Sequence, residues 1–137
     1  MNRRSFLVST AAIALLPGLS QAASGVSYQT GLVKKHLAAG DTVFIDFYTD
    51  WCSTCASQGR TIAALLKANP AYEENITFIK VDWDKHSRSA LARQLGIPRR
   101  STLVVLRGDD ELGRIVAGTS KSQIKELLDT ALTAATA

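Results

Sequence analysis

One stretch constrains this chain more than any other: Val43-Phe44-Ile45-Asp46-Phe47-Tyr48-Thr49-Asp50-Trp51-Cys52-Ser53-Thr54-Cys55. A run of β-branched and aromatic residues, the signature of a buried strand, ends at Tyr48. A pair of cysteines, the only 2 in the chain, then opens a segment with helical spacing. The first turn of a helix leaves backbone N–H groups unpaired, and the helix dipole places partial positive charge there. A thiolate at that end is stabilised, so its pKa falls below the free value of about 8.5. The second cysteine, on the same turn, is placed to attack a mixed disulfide formed by the first. The spacing suits reversible dithiol/disulfide exchange.

The 137 residues make one domain, and 46% of them are hydrophobic, an ordinary figure for a folded chain. The formal charge of +4 includes Arg3 and Arg4, which lie in a segment expected to be removed. With no basic stripe interleaved with aromatics, nucleic acid is excluded as a partner class. Residues 1–22 read as an export signal: a basic start at Arg3-Arg4, an apolar run from Phe6 to Leu16, a stop at Pro17-Gly18, and small residues around Ser20-Gln21-Ala22. The apolar run falls short of the roughly 20 residues that span a bilayer. Arg3-Arg4-Ser5-Phe6-Leu7 also matches part of a twin-arginine signal. Either route predicts a periplasmic mature chain with a flexible lead-in over 23–30 and a folded domain over 31–137. Exported cysteine pairs are commonly structural, but a loop this short constrains the unfolded chain very little. The spacing therefore favours redox chemistry over stapling.

The hydrophobic pattern predicts a short helix carrying Leu32, Val33, His36 and Leu37, stopped by Gly40. A strand over Val43–Tyr48 follows, apolar on both faces and so central in its sheet, with Asp46 out of place beside Phe44 and Tyr48. A helix then runs from Cys52 to Ala68, with Ile62, Leu65 and Leu66 inward. Ala71–Asn75 reads as polar connection, Ile76–Val81 as a strand and Trp83–His86 as loop. Ser87 is placed to cap a helix ending at Leu95. Thr102–Leu106 and Arg114–Ala117 read as an antiparallel hairpin about Gly108-Asp109-Asp110. Ser120-Lys121-Ser122-Gln123 reads as a capping box opening a last helix. Strands separated by helices pair in parallel and the hairpin adds antiparallel strands. The predicted fold class is α/β, a mixed four- to five-stranded sheet with helices on both faces.

This order, with the cysteine pair at the end of the first central strand, resembles the thioredoxin fold over Val33–Leu132. Asp46-Phe47-Tyr48-Thr49-Asp50-Trp51-Cys52-Ser53-Thr54-Cys55 resembles that family's active-site block. Lys80-Val81-Asp82 matches its lysine on the neighbouring strand, and Leu95-Gly96-Ile97 with Thr102–Val105 its loop and strand facing the cysteines. Gly118 matches its glycine after the last strand. The Tyr48-x-Asp50-Trp51-Cys52 run is similar to the C-terminal thioredoxin-like domain of the periplasmic reductant carrier DsbD. One departure stands out: Ser101 occupies the position of the family's cis-proline, which pairs with the substrate backbone and shields the thiols.

The resemblance implies a thiol:disulfide oxidoreductase with a redox-active Cys52–Cys55 disulfide. Cys52 is the attacking and more exposed thiol, and Cys55 the buried resolving one. Asp46 is a buried carboxylate relaying a proton to Cys55, against the plainer reading of a hydrogen-bonded structural Asp. Lys80 is expected to pair with Asp46, or to be a half-exposed surface lysine. Trp51 is expected to cap the site, Ser53 and Thr54 to tune the potential, and Ser101 with Thr102 to shape the facing loop. Arg99 and Arg100 either favour an anionic partner or form a solvated loop. His36 and His86 lack metal-ligand spacing. The expected partners are protein disulfides and a membrane electron carrier of the DsbD type. The expected state is a monomer without cofactor, leaning towards reductase. The alternative is a module holding copper or an iron–sulfur centre on Cys52 and Cys55, motivated by Ser101 and the twin-arginine match; two thiolates fall short of the usual four-cysteine cluster.

Overall fold

The computed structural model describes residues 25–137, and the export-signal reading of 1–22 lies outside them. Five strands form one mixed sheet in the order β1-β3-β2-β4-β5. They are β1 (Val26–Ser27), β2 (Thr42–Tyr48), β3 (Thr77–Asp82), β4 (Thr102–Arg107) and β5 (Asp110–Val116). β3 runs parallel to β1 and β2, whereas β4 runs antiparallel to β2 and β5. The helices are α1 (Leu32–Ala38), α2 (Ser53–Ala68), α3 (Ala71–Asn75), α4 (Trp83–His86), α5 (Ala90–Leu95) and α6 (Lys121–Ala135).

β2 is central, as its doubly apolar pattern requires. Its alternating side chains feed two cores. Phe44 joins Leu65, Leu66, Leu103, Ile124 and Leu128 beneath α2 and α6. Val43, Ile45 and Phe47 join Val33, Ile79 and Val104 on the face covered by α1 and α5. Burial on both sides leaves β2 no freedom of register, since a one-residue slip would exchange the faces. The end of β2 therefore holds the cysteine turn in a fixed place.

Four local expectations are corrected. Part of the expected lead-in is strand: Val26 and Ser27 pair with Ile79 and Lys80. Gly25 makes this approach possible, because with φ at +86° a Cβ there would lie 2.5 Å from the Phe78 carbonyl oxygen. Ala71–Asn75 is not connection but a helical turn that buries Tyr72, whose hydroxyl donates to Asp129 on α6. Trp83–His86 is helical rather than loop, capped by the Asp82 carboxylate, which accepts from the Asp84 N–H. The cap of α5 is Ser89 rather than Ser87, its hydroxyl accepting from the Ala92 N–H at 3.2 Å. Of the capping box expected at α6 one half forms, Ser120 Oγ accepting from the Gln123 N–H.

Candidate functional site

The site is built where β2 ends, α2 begins and the loop before β4 crosses in front. Cys52 is the N-cap of α2, with extended backbone at φ −88° and ψ 115°. An N-cap side chain ordinarily presents an oxygen to the first free N–H groups of the helix. Here the acceptor is sulfur: the Cys55 N–H donates to Cys52 Sγ at 3.2 Å. Both cysteines are free thiols, so the structure is the dithiol form.

Ser101 joins the two sulfurs. Its Oγ lies 3.2 Å from Cys52 Sγ and 3.0 Å from Cys55 Sγ. Its side chain is fully buried and its backbone is left-handed, at φ +61°. That conformation costs a non-glycine residue roughly 1–2 kcal/mol. Surrounding bonds hold it: the Ser101 N–H donates to the Phe47 carbonyl, and the Ser101 carbonyl accepts from the Ala117 N–H. No cis peptide bond occurs among the described residues.

The two thiols are pushed in opposite directions. Burial raises Cys52, but hydrogen bonds from the Cys55 thiol, the Ser101 hydroxyl, the Cys55 N–H and Arg100 outweigh it and bring the pKa to about 6. Burial raises Cys55, and its bond to Cys52 raises it further. At neutral pH Cys52 is the thiolate and Cys55 keeps its proton. The expected difference in exposure is corrected: each cysteine is 5% exposed. The Cys52 sulfur turns inward onto the Cys55 N–H and Ser101, so chemistry rather than accessibility separates the pair.

Asp46 lies behind Cys55. Asp46, Cys55, Gly59 and Lys80 line one hollow of about 210 Å³. Burial pushes the Asp46 carboxyl from 3.8 up to about 6, Lys80 pulling it down and Cys52 pushing it up. Its Oδ1 has no hydrogen-bond partner among the described residues. The expected Asp46–Lys80 ion pair is corrected: the two face each other across β2 and β3, but Lys80 Nζ sits over the Tyr48 ring, 4.1 Å from its centroid. Lys80 therefore acts on Asp46 through its field rather than by contact.

Trp51 is 64% exposed beside the cysteines and its Nε1–H donates to Asp84 at 2.8 Å. The Arg100 guanidinium lies over its ring, 4.3 Å from the centroid. Ser53 is exposed and Thr54 half-buried. Thr102 is buried and its hydroxyl donates to the Arg99 carbonyl at 2.7 Å, tying the loop to the start of β4. His36 pairs with Asp41 and His86 packs edge-on against Tyr28. Among the described residues no group of three or more His, Cys, Asp or Glu side chains is placed to hold a metal ion. The metal-holding alternative is left with two thiols and a hydroxyl and is not favoured.

Gln58 was not singled out by the sequence. One turn beyond Cys55 on α2, it is fully buried, and its Nε2 donates to the Ser101 carbonyl at 3.0 Å and the Gly118 carbonyl at 2.9 Å. It holds the strained Ser101 against the thiols. The available signal was its position: a polar side chain at Cys55+3, on the apolar stripe that continues to Ile62.

Comparison with known proteins places this geometry. Residues 25–130 match the family described as Thioredoxin. The chain belongs to the thioredoxin family. Thioredoxin H2-1 of Oryza sativa is 31% identical over 64% of this chain, and Chlamydia trachomatis thioredoxin 29% identical over 66% of it and 82% of its own length. The chain spans 59% of the rice protein and 60% of mitochondrial thioredoxin-2 of Schizosaccharomyces pombe, another relative. The crystal structure of Trxlp from Edwardsiella tarda superposes with a TM-score of 0.65 at 30% identity, covering 76% of this chain and 98% of that one. The Cys52-x-x-Cys55 pair lies within the residues matched to the family.

Proposed function

We propose that the protein is an exported thiol:disulfide oxidoreductase that reduces disulfides in partner proteins. The observation that carries this is the convergence of donors on Cys52 Sγ at the α2 entrance, with its pKa at about 6. The Cys52 thiolate attacks one sulfur of a partner disulfide. The other partner sulfur leaves as a thiolate and takes a proton from solvent. Cys55 then gives its proton towards Asp46 through the shared hollow and attacks Cys52 Sγ. The second partner sulfur leaves, and the enzyme holds a Cys52–Cys55 disulfide. Two electrons have passed to the partner, so a dithiol donor must restore the enzyme.

The periplasmic location rests on the signal pattern of residues 1–22. A membrane donor of the DsbD type is supported by the Tyr48-x-Asp50-Trp51-Cys52 run and by the need for reducing equivalents outside the cytoplasm. The protein acts as a monomer in this reading, and no organic cofactor enters the electron balance.

The test is mixed-disulfide trapping with insulin as the substrate. Cys55→Ser accumulates a covalent enzyme–insulin adduct that dithiothreitol releases, and Cys52→Ser forms none. Adduct formation by Cys52→Ser contradicts the assignment. A reduction potential near about −270 mV supports the reductase direction, and one near about −120 mV contradicts it.

A further inference from the structure

In the loop in front of Cys52 the carbonyls of Arg99, Arg100 and Ser101 are all engaged internally. The Ser101 N–H and carbonyl bond to Phe47, Ala117 and Gln58. The Arg99 carbonyl accepts from the Thr102 hydroxyl, and the Arg100 carbonyl accepts from Arg99 Nε at 3.0 Å. An incoming chain therefore finds the carbonyls of these three residues already taken. What the loop presents is a side chain. Arg100 is half-buried, stacked on exposed Trp51 and close enough to Cys52 to lower its pKa. Its Nε is buried and without a partner, and it forms no ion pair among the described residues. The Asp84 carboxylate beside Trp51 accepts from the indole N–H.

We propose that Arg100 selects partner disulfides in which an acidic residue flanks the attacked cysteine. In the free enzyme the guanidinium serves the Cys52 thiolate. Attack moves that negative charge through the forming S–S bond onto the leaving sulfur, and Cys52 becomes a neutral disulfide. Arg100 then lacks a counter-charge at a half-buried position. A carboxylate beside the bonded cysteine supplies it, and guanidinium suits carboxylate through paired N–H donors. The stacked Trp51 ring holds the guanidinium plane in place for such a contact. The acidic flank stabilises the mixed disulfide and the transition state leading to it. This inference rests on the exchange reaction proposed above.

The test uses peptides whose single cysteine is capped as the 2-pyridyl disulfide and followed by Asp, Asn or Lys. Attack on the peptide sulfur releases thiopyridone, read by its absorbance. At low ionic strength the wild-type dithiol protein reacts about fivefold faster with the Asp peptide than with the Asn peptide, and slowest with the Lys peptide. Added salt compresses the ratio. Arg100→Gln removes the preference, Arg100→Lys retains part of it, and Arg100→Glu inverts it. Because every ratio compares peptides on one enzyme, a change in Cys52 reactivity common to all three cancels. Equal rates on the wild type, or an Asp preference that survives Arg100→Gln, overturn the inference. Release from no peptide instead overturns the exchange reaction itself.

Discussion

Ser101 is one of the groups that make Cys52 the acidic thiol, after the larger contribution of the Cys55 thiol itself. Its hydroxyl is shared between the sulfurs, and with Cys52 ionised it donates there while Cys55 keeps its proton. A hydrogen bond to a charged group contributes about 1.5–3 kcal/mol, and a pKa unit corresponds to about 1.4 kcal/mol. Ser101→Ala is therefore expected to raise the Cys52 pKa by at least about one unit, measured from thiolate ultraviolet absorbance against pH. Asp46 works in the opposite sense. Between pH 3.8 and about 6 the folded protein keeps a proton that the unfolded chain has released. Stability falls as pH rises through that window and stays reduced above it. Asp46→Asn removes this effect. It should stabilise the fold by on the order of 2 kcal/mol at neutral pH and by little below about pH 4, read by urea unfolding. The same variant should slow the release of mixed disulfides, because Cys55 loses its proton acceptor.

At the scale of elements, the site is a meeting of three: the end of β2, the entrance of α2 and the loop before β4. Gln58 ties the last two together, and through Gly118 it also holds the chain that leaves β5. Gln58→Met keeps the volume but removes the donations to the buried Ser101 carbonyl and the half-buried Gly118 carbonyl, along with the unpartnered Gln58 Oε1. The expected cost is about 2 kcal/mol in urea unfolding, with a rise in the Cys52 pKa as the Ser101 loop loosens. A wild-type pKa in a destabilised variant would show that Gln58 supports the fold without positioning Ser101. The strand-turn-helix at β2–α2 was legible in the sequence because burial on both faces of β2 and a cysteine at the helix entrance leave one local solution. The short elements were not. α3 and α4 are 5 and 4 residues long, too short to show a helical period. β1 is 2 residues long and takes its strand geometry from β3.

Across the whole molecule, the α/β class and the mixed sheet could be read from strand and helix order alone, since strands separated by helices pair in parallel and a tight hairpin does not. The five-stranded order and the two cores follow that reading. What could not be read is long-range: Ser101 reaching back to both sulfurs, Gln58 reaching across to Ser101, and Lys80 turning to Tyr48 rather than Asp46. These contacts join residues brought together only by the assembled sheet, and no local pattern encodes them. Cys52 and Asp46 were legible because each breaks a local rule, a thiol in a cap position and a carboxylate on an apolar face, and Cys55 by its spacing from Cys52. The sheet and its two cores hold these groups in register, and the result is one acidic thiol beside one that resists ionisation. The most direct measurement of that claim is the rate of iodoacetamide alkylation against pH on the reduced protein, with each modified cysteine identified by mass spectrometry. Cys52 alone should react through neutral pH, with a midpoint at about 6. Reaction of Cys55 first, or a Cys52 midpoint near the free-thiol value of about 8.5, would contradict this.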